Sequence, residues 1–399
     1  MKFLCSSIPA LGHFHPMLPI VNALAANGHE ILFAAPRGFH PKVIAAGFEA
    51  RVAGMDMDAL IAAADEPSAA GELLRKDQKA ALMFTQIAPN AMYEPLLEIA
   101  KDWKPDILLH EEGEYAAPLV SYLLGLPNIA VGWPSPMRAA FQLERVEKSI
   151  AKLWTDAGVT PVSNAGVFRT LFLDTCPPTL QTEFGMSITT RQPIRPCILK
   201  ESEHLSSPDW LSHMPDAPIV HVTFGTVATY NNAASIYTDI IEGLRDEQVN
   251  LVLTIGESID PYEFVAQKRN VHIERYIEHE KLLPHCDVVI CHGGCGTTIS
   301  ALSHGLPLMI IPQGGAVQLR NAQACERAGA GMMLATENIS VLAIRTKVLQ
   351  LLNEARFKQT AQKIAHEIHR QPLPSDVVSV IEKLVIKRFQ KQCESGEDV

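Results

Sequence analysis

A chain of 399 residues exceeds what one ordinary hydrophobic core accommodates, so two domains of about 200 residues are expected. Hydrophobic residues at 47% against charged residues at 20% exclude a disordered chain, and a formal net charge of -10 disfavours broad contact with nucleic acid or anionic lipid. Eight cysteines over this length do not make a disulfide framework and read as thiols of a reducing, cytoplasmic compartment.

The first 55 residues alternate strand and helix. Lys2 to Ser6 reads as a strand, a helix begins at Pro16 and closes at Asn27-Gly28, and Glu30 to Ala35 is a second strand. Pro41 to Ala46 is a short helix ended by Gly47, and Phe48 to Val52 a third strand. Strand, helix, strand at this spacing predicts right-handed crossovers in a parallel sheet. The uncharged stretches Phe3–Gly28 and Ala116–Trp133 are each broken by glycine and proline, so neither reads as an export signal or a membrane span.

Glu72 to Asp102 is helical in composition, with interruptions expected at Pro89 and Pro95. Ile107 to His110 is a buried strand, followed by a helix to Leu124 and a strand from Ile129 to Gly132. Pro134 to Pro178 shows no clear period and reads as substrate-facing helices. Residues 1–200 are assigned to the first domain, the Pro- and Ser-punctuated 201–214 to a linker, and 215–372 to the second domain. That second run reads strand at Ile219 to Thr223, helix at Ala233 to Arg245, and strands at Val249 to Ile255, Val271 to Tyr276 and Val288 to Cys291. A helix from Thr297 to His304, a strand from Leu308 to Ile311 and a helix from Gln318 to Ala328 follow, and 391–399 reads as a polar, frayed tail. The fold class is therefore α/β, two Rossmann-like, doubly wound parallel sheets whose carboxyl ends face a shared cleft.

The densest chemical signal is His292-Gly293-Gly294-Cys295-Gly296-Thr297-Thr298, between a buried strand and a helix. Its glycines let backbone amides approach an anion, and the helix start turns its positive dipole end to it. The stretch matches neither G-x-G-x-x-G nor the P-loop, which leaves a diphosphate without bound magnesium as the natural ligand.

That stretch, with Ala301-Leu302, Gly305-x-Pro307, Pro312, Gln318 and Asn321-Ala322, resembles the nucleotide-sugar signature of glycosyltransferase family 1, nearest to the bacterial enzymes that decorate macrolides and polyketides. Gly12-His13-x-x-Pro16, Pro105-Asp106-Ile-Leu-Leu-His110-Glu111 and Val222-Thr223-Phe224-Gly225-Thr226 resemble three further motifs of that family, in order, over roughly residues 1–335. The resemblance implies a GT-B fold, with a final helix at about 375–390 crossing back to the first domain, and an inverting, metal-independent transfer that needs no cofactor. The donor would be a uridine or thymidine diphosphate sugar, and the acceptor a hydroxyl of a small natural product.

Position by position, His13 would be the general base and Glu111 its acidic partner, with Glu112 and Glu114 as rivals for that role and His15 as a rival base. Thr226, His292, Gly294, Cys295, Gly296 and Thr297 would hold the diphosphate, Tyr276 and Ile277 the nucleobase, and Val317 and Gln318 the donor sugar. Valine stands where many relatives carry an aspartate that accepts a sugar hydroxyl, which implies a deoxysugar donor or a substitute such as Gln313. Asp56-Met57-Asp58 matches a metal-holding motif of another glycosyltransferase fold but lies in the wrong domain, and the crowd His285, Cys286, Cys291, His292 and Cys295 lacks zinc spacing, so no metal is expected. The partners implied are the nucleotide sugar and the acceptor, without nucleic acid or membrane insertion, and with a homodimer left open. Two other readings remain: a non-catalytic nucleotide-sugar-binding protein, and a Rossmann-type oxidoreductase, which lacks the glycine fingerprint with an acidic residue about 20 positions later.

Overall fold

Successive side chains of a strand point to opposite faces, and β1 (Lys2–Ser6) shows that it lies in a sheet covered on both sides. Phe3 and Cys5 join one apolar cluster and Leu4 another, all of them buried. The computed structural model describes residues 1–66, 75–138, 140–196, 206–225, 233–261, 264 and 270–395. Around β1, strands β2 (Glu30–Ala35), β3 (Glu49–Val52), β4 (Ile107–Glu111), β5 (Asn128–Val131), β6 (Leu171–Asp174) and β7 (Arg191–Pro193) pair in parallel in the order β3-β2-β1-β4-β5-β6-β7. A second parallel sheet comprises β8 (Ile219–Thr223), β9 (Asn250–Thr254), β10 (Val271–Glu274), β11 (Val288–Cys291), β12 (Leu308–Ile310) and β13 (Gly331–Met333), in the order β10-β9-β8-β11-β12-β13.

In each sheet the winding reverses between two central strands, β1 and β4 in the first and β8 and β11 in the second. The crevice outside the carboxyl ends of those strands is where an open α/β sheet receives ligands.

Several details differ from the sequence-based expectations. A helical turn at Leu11–Phe14 and a 3-10 turn at His15–Met17 precede the helix Leu18–Ala26, so Pro16 lies inside a turn already under way. Pro89 sits in the first turn of the helix Ala88–Trp103, and Pro95 lies within it without breaking it. An interior proline costs a helix about 3 kcal/mol. Burial of Met92, Leu96, Ile99 and Ala100 in the first domain's core offsets that cost. The aperiodic span 134–178 contains the helix Ala140–Asp156 and the strand β6. Asp209–His213, assigned to the linker, forms a 3-10 turn whose Trp210 and Leu211 pack on the second domain's core.

The last helix, Pro374–Ser395, runs beyond the point where a frayed tail was expected, and residues 396–399 lie outside the described part. Its Val377, Val378, Ile381 and Val385 are buried among Phe14, Met17, Ile20 and Leu24 of the first domain. Each such aliphatic side chain contributes about 1.5–3 kcal/mol on burial, so the chain's end is firmly tied to its beginning. Among the described residues no helix is long and apolar enough to cross a membrane.

Buried ionisable groups set a pH dependence. Burial above all holds His110, His279 and His292 down to about 4 and His221 to about 3, against an ordinary 6.5. The folded state therefore refuses protons that the unfolded chain takes up as pH falls below 6.5, and it loses stability on acidification. Glu112 and Glu114, pushed by burial from 4.5 up to about 7, act in the opposite sense over 4.5 to 7. Four histidines outweigh two glutamates. We expect the melting temperature to rise from pH 4.5 to pH 6.5 in thermal denaturation, and a flat or falling profile would contradict this assignment of buried neutral histidines.

Candidate active site

His13 lies in the turn that follows β1, and Glu111 is the last residue of β4, so the β1/β4 switch point brings both to one place. Nδ1 of His13 stands 3.0 Å from Oε1 of Glu111, a carboxylate with no solvent exposure. Oε2 of the same carboxylate accepts from the Gly113 amide at 2.6 Å. Burial raises the pKa of Glu111, but the His13 charge and the hydrogen bonds from His13 and Gly113 outweigh it, and the net shift is downward. An ionised carboxylate can only accept. The proton of a neutral His13 therefore sits on Nδ1, and Nε2 presents its lone pair. Phe84 stacks on the imidazole at 5.7 Å and Trp133 meets it edge-on at 4.8 Å, so the ring is held on two sides.

The rival carboxylates have other partners. Glu114 accepts from Ser6 Oγ at 2.7 Å and from the amides of Ala116 and Ala117 at 2.8 and 2.9 Å, and so caps the helix Ala116–Leu123. Glu112 accepts from the Trp133 amide at 3.3 Å and faces Arg138 and Arg320. His15 lies on the exposed side of its turn.

The glycine-rich stretch follows β11, and Gly225 follows β8, so the second switch point carries the second half of the site. Gly294 N-caps the helix Cys295–Ser303 without a side-chain cap, and the first intrahelical bond is the Thr298 amide to the Gly294 carbonyl. The amides of Cys295, Gly296 and Thr297 are thus left to an outside acceptor, as a helix N-terminus allows. A Cβ on Gly296 would meet nothing within 4 Å, so the helix start is open on that side.

Gly225 and Gly294 have a different task. A Cβ on Gly294 would lie 2.5 Å from Nε2 of His292, and one on Gly225 2.9 Å from its Cε1. The two glycines hold the His292 ring between their backbones. Burial lowers that ring to about 4, partly countered by a hydrogen bond to the Thr223 backbone, so at physiological pH it is neutral and its one N–H is committed to the Thr223 carbonyl. The Cys295 thiol is pushed up to about 11 by burial and is no nucleophile at neutral pH. Thr226 lies outside the described residues.

Tyr276 falls two residues beyond β10 rather than within it, and it is 64% exposed. With Ile277 it lines a groove of about 320 Å³ shared with Pro208, Trp210, Glu274 and Lys281. Val317 is half-buried in the first turn of the helix Ala316–Ala328. Gln318 is more buried than expected of a residue reaching for a sugar: its Oε1 accepts from the Gln313 amide at 2.7 Å. Any sugar contact falls to its amide end.

One group important to this arrangement was not singled out in the sequence. Ser135 donates to Asn321 Oδ1 at 2.7 Å, and Asn321, part of the signature, donates to the Gly293 carbonyl at 2.8 Å, so the first domain holds the glycine loop of the second. Ser135 stands in no pattern that identifies it without the fold. Among the described residues no group of three His, Cys, Asp or Glu side chains could hold a metal. Asp56 stands at the N-cap position of the helix Met57–Asp65, but its side chain accepts from the Gly38 amide at 2.9 Å and makes no cap bond.

Comparison with known proteins follows the same two halves. Residues 22–225 match the N-terminal domain of the family described as erythromycin biosynthesis protein CIII-like, and residues 242–384 match its C-terminal domain. The chain is 25% identical to tylactone mycaminosyltransferase of Streptomyces fradiae over 96% of this chain and 92% of that protein. It is 27% identical to 4'-demethylrebeccamycin synthase of Lentzea aerocolonigenes over 96% and 99% of the two. Among solved structures it resembles a spinosyn rhamnosyltransferase complexed with thymidine diphosphate, with a TM-score of 0.76 and 23% identity over 96% and 100% of the chains. That likeness establishes the fold as GT-B.

The glycine contacts make a paired prediction. Gly294→Ala forces the His292 ring aside and is expected to destabilise by about 1–3 kcal/mol, as overpacking does. Gly296→Ala, with open space and a helical backbone, is expected to be neutral or to stabilise by up to about 1 kcal/mol. Urea denaturation midpoints check both, and a Gly294→Ala variant as stable as the parent would contradict the packing described.

Proposed function

The chain belongs to the erythromycin biosynthesis protein CIII-like family, and we propose that it transfers a sugar, with inversion at the anomeric carbon, from a nucleoside diphosphate to a hydroxyl of a small natural product. It is a family 1 glycosyltransferase. The observation that carries the chemistry is the 3.0 Å contact of Nδ1 of His13 with Glu111, because it leaves Nε2 as the proton acceptor. As the acceptor oxygen bonds to the anomeric carbon, its proton passes to Nε2, and the bond from that carbon to the diphosphate oxygen breaks with its electron pair leaving on the diphosphate. Glu111 stabilises the imidazolium so formed. The amides of Cys295, Gly296 and Thr297 offer donors to the departing charge, at the start of a helix whose dipole favours it.

Thymidine diphosphate sugars are the favoured donors. In support, a relative of the same fold is seen complexed with thymidine diphosphate, a relative of Streptomyces galilaeus is named a 2-deoxy-L-fucose transferase, and the Val317 side chain offers no hydrogen bond to a sugar hydroxyl. Metal independence is part of the proposal, since the helix N-terminus supplies neutral donors where other glycosyltransferases use a cation.

A panel of thymidine and uridine diphosphate sugars with polyketide and macrolide acceptors, followed by release of nucleoside diphosphate, tests the assignment. His13→Ala is expected to lower kcat by about 10²–10⁴-fold, the usual worth of a general base, while thymidine diphosphate affinity by calorimetry stays near the parent's. Equal turnover with and without His13 would refute the mechanism. Addition of EDTA is expected to leave the rate unchanged, and a rate restored only by a divalent cation would refute metal independence.

A further inference from the structure

Arg138 and Arg320, two half-buried arginines that both act on the charge of Glu112, have no part in the chemistry above. Arg320 stands on the donor-side helix Ala316–Ala328, one residue before Asn321, and its Nε donates to the Pro136 carbonyl of the first domain at 3.2 Å. Its Nη2 is buried without a hydrogen-bond partner. Two residues from Pro136, Arg138 donates to the Tyr115 hydroxyl at 2.7 Å and lies over the Trp133 ring at 5.6 Å. Glu112 feels both guanidiniums and accepts from the Trp133 amide at 3.3 Å. Trp133 in turn meets the His13 ring edge-on at 4.8 Å and packs so closely on Gly113 that a Cβ there would be 2.9 Å from the indole.

The stretch from Trp133 to Arg138 thus touches the base at one end and the donor helix along its length. Arg138 is a like charge beside Arg320, and Glu112 offsets part of that repulsion. Losing Arg320 removes the donor to the Pro136 carbonyl, and the segment loses that tie to the donor helix. Asn321 and Arg320 are neighbours on the helix that also carries Val317 and Gln318, so the same element that meets the donor holds this segment.

We propose that Arg320 is a positioning residue for the transfer: by holding the Pro136 carbonyl and facing Glu112 it sets the Trp133–Arg138 segment, and with it the ring of His13, in register with the donor cradle. This rests on His13 being the base. A misplacement of about 1 Å at a reacting group costs on the order of 10²-fold in rate, which is the scale available to such a residue.

The test is Arg320→Met in the full-length chain, with kcat, donor KM, thymidine diphosphate affinity and the NMR titration of the His13 ring measured together. We expect kcat to fall about 10–100-fold while KM and nucleotide affinity stay within about threefold, and the His13 titration to shift. Arg320→Lys, which keeps a donor for Pro136, is expected to recover part of the rate. Unchanged kcat, or lost kcat with an unmoved His13 titration, overturns the proposal. If Arg320→Met does not fold, Arg320→Gln, which keeps an N–H donor without the charge, is read by the same criteria. Should the parent chain transfer no sugar, the functional reading fails alone, and the His13 titration in the variant still decides the positioning role.

Discussion

A carboxylate buried at the carboxyl end of a central strand is expensive unless something opposite holds it, and here an imidazole does. Glu111 is fully buried, with one oxygen on His13 and the other on the Gly113 amide. The arrangement is self-consistent in only one tautomer. The ionised acid requires the proton on Nδ1, and that proton leaves Nε2 basic. Phe84 and Trp133 then fix the ring from two directions, so a flexible side chain becomes an oriented one.

The rest of the molecule brings an anion site to that base. Both sheets reverse their winding between central strands, and each reversal delivers one half of the site: His13 and Glu111 after β1 and β4, Gly225 and His292 after β8 and β11. The glycines there serve packing as much as ligand access. Gly225 and Gly294 make room for the His292 ring, whereas Gly296 borders empty space. The halves are held to each other by specific contacts as well as by the chain: Ser135 reaches Asn321, Arg320 reaches Pro136, and the last helix buries four aliphatic side chains in the first domain's core.

Much of this was legible in the residues. Within Lys2–Ser6 and Glu30–Ala35 the stretches Phe3 to Cys5 and Ile31 to Ala35 are apolar on both faces, which is why their boundaries match the strands found. His13 and the glycine stretch sit directly after such runs, where a parallel sheet places its ligands. The strands β6 and β7 escaped notice because Leu171–Asp174 and Arg191–Pro193 are too short to show a period. Pro95 misled because propensity ignores the burial that pays its cost. The choice among Glu111, Glu112 and Glu114 depends on whether a side chain faces the turn, the domain interface or the following helix, which is settled by three-dimensional packing. Ser135, Arg138 and Arg320 act between segments more than 180 residues apart in two of their contacts, and no local pattern marks such a pairing.

The central claim is that the base and the anion cradle face each other in one cleft. A crystal structure of the chain with thymidine diphosphate bound tests it most directly. The account predicts terminal phosphate oxygens about 2.7–3.1 Å from the amides of Cys295, Gly296 and Thr297, on the side of the cleft to which Nε2 of His13 points, with open space between for a sugar. A diphosphate bound elsewhere, or one walled off from His13 by protein, would contradict it.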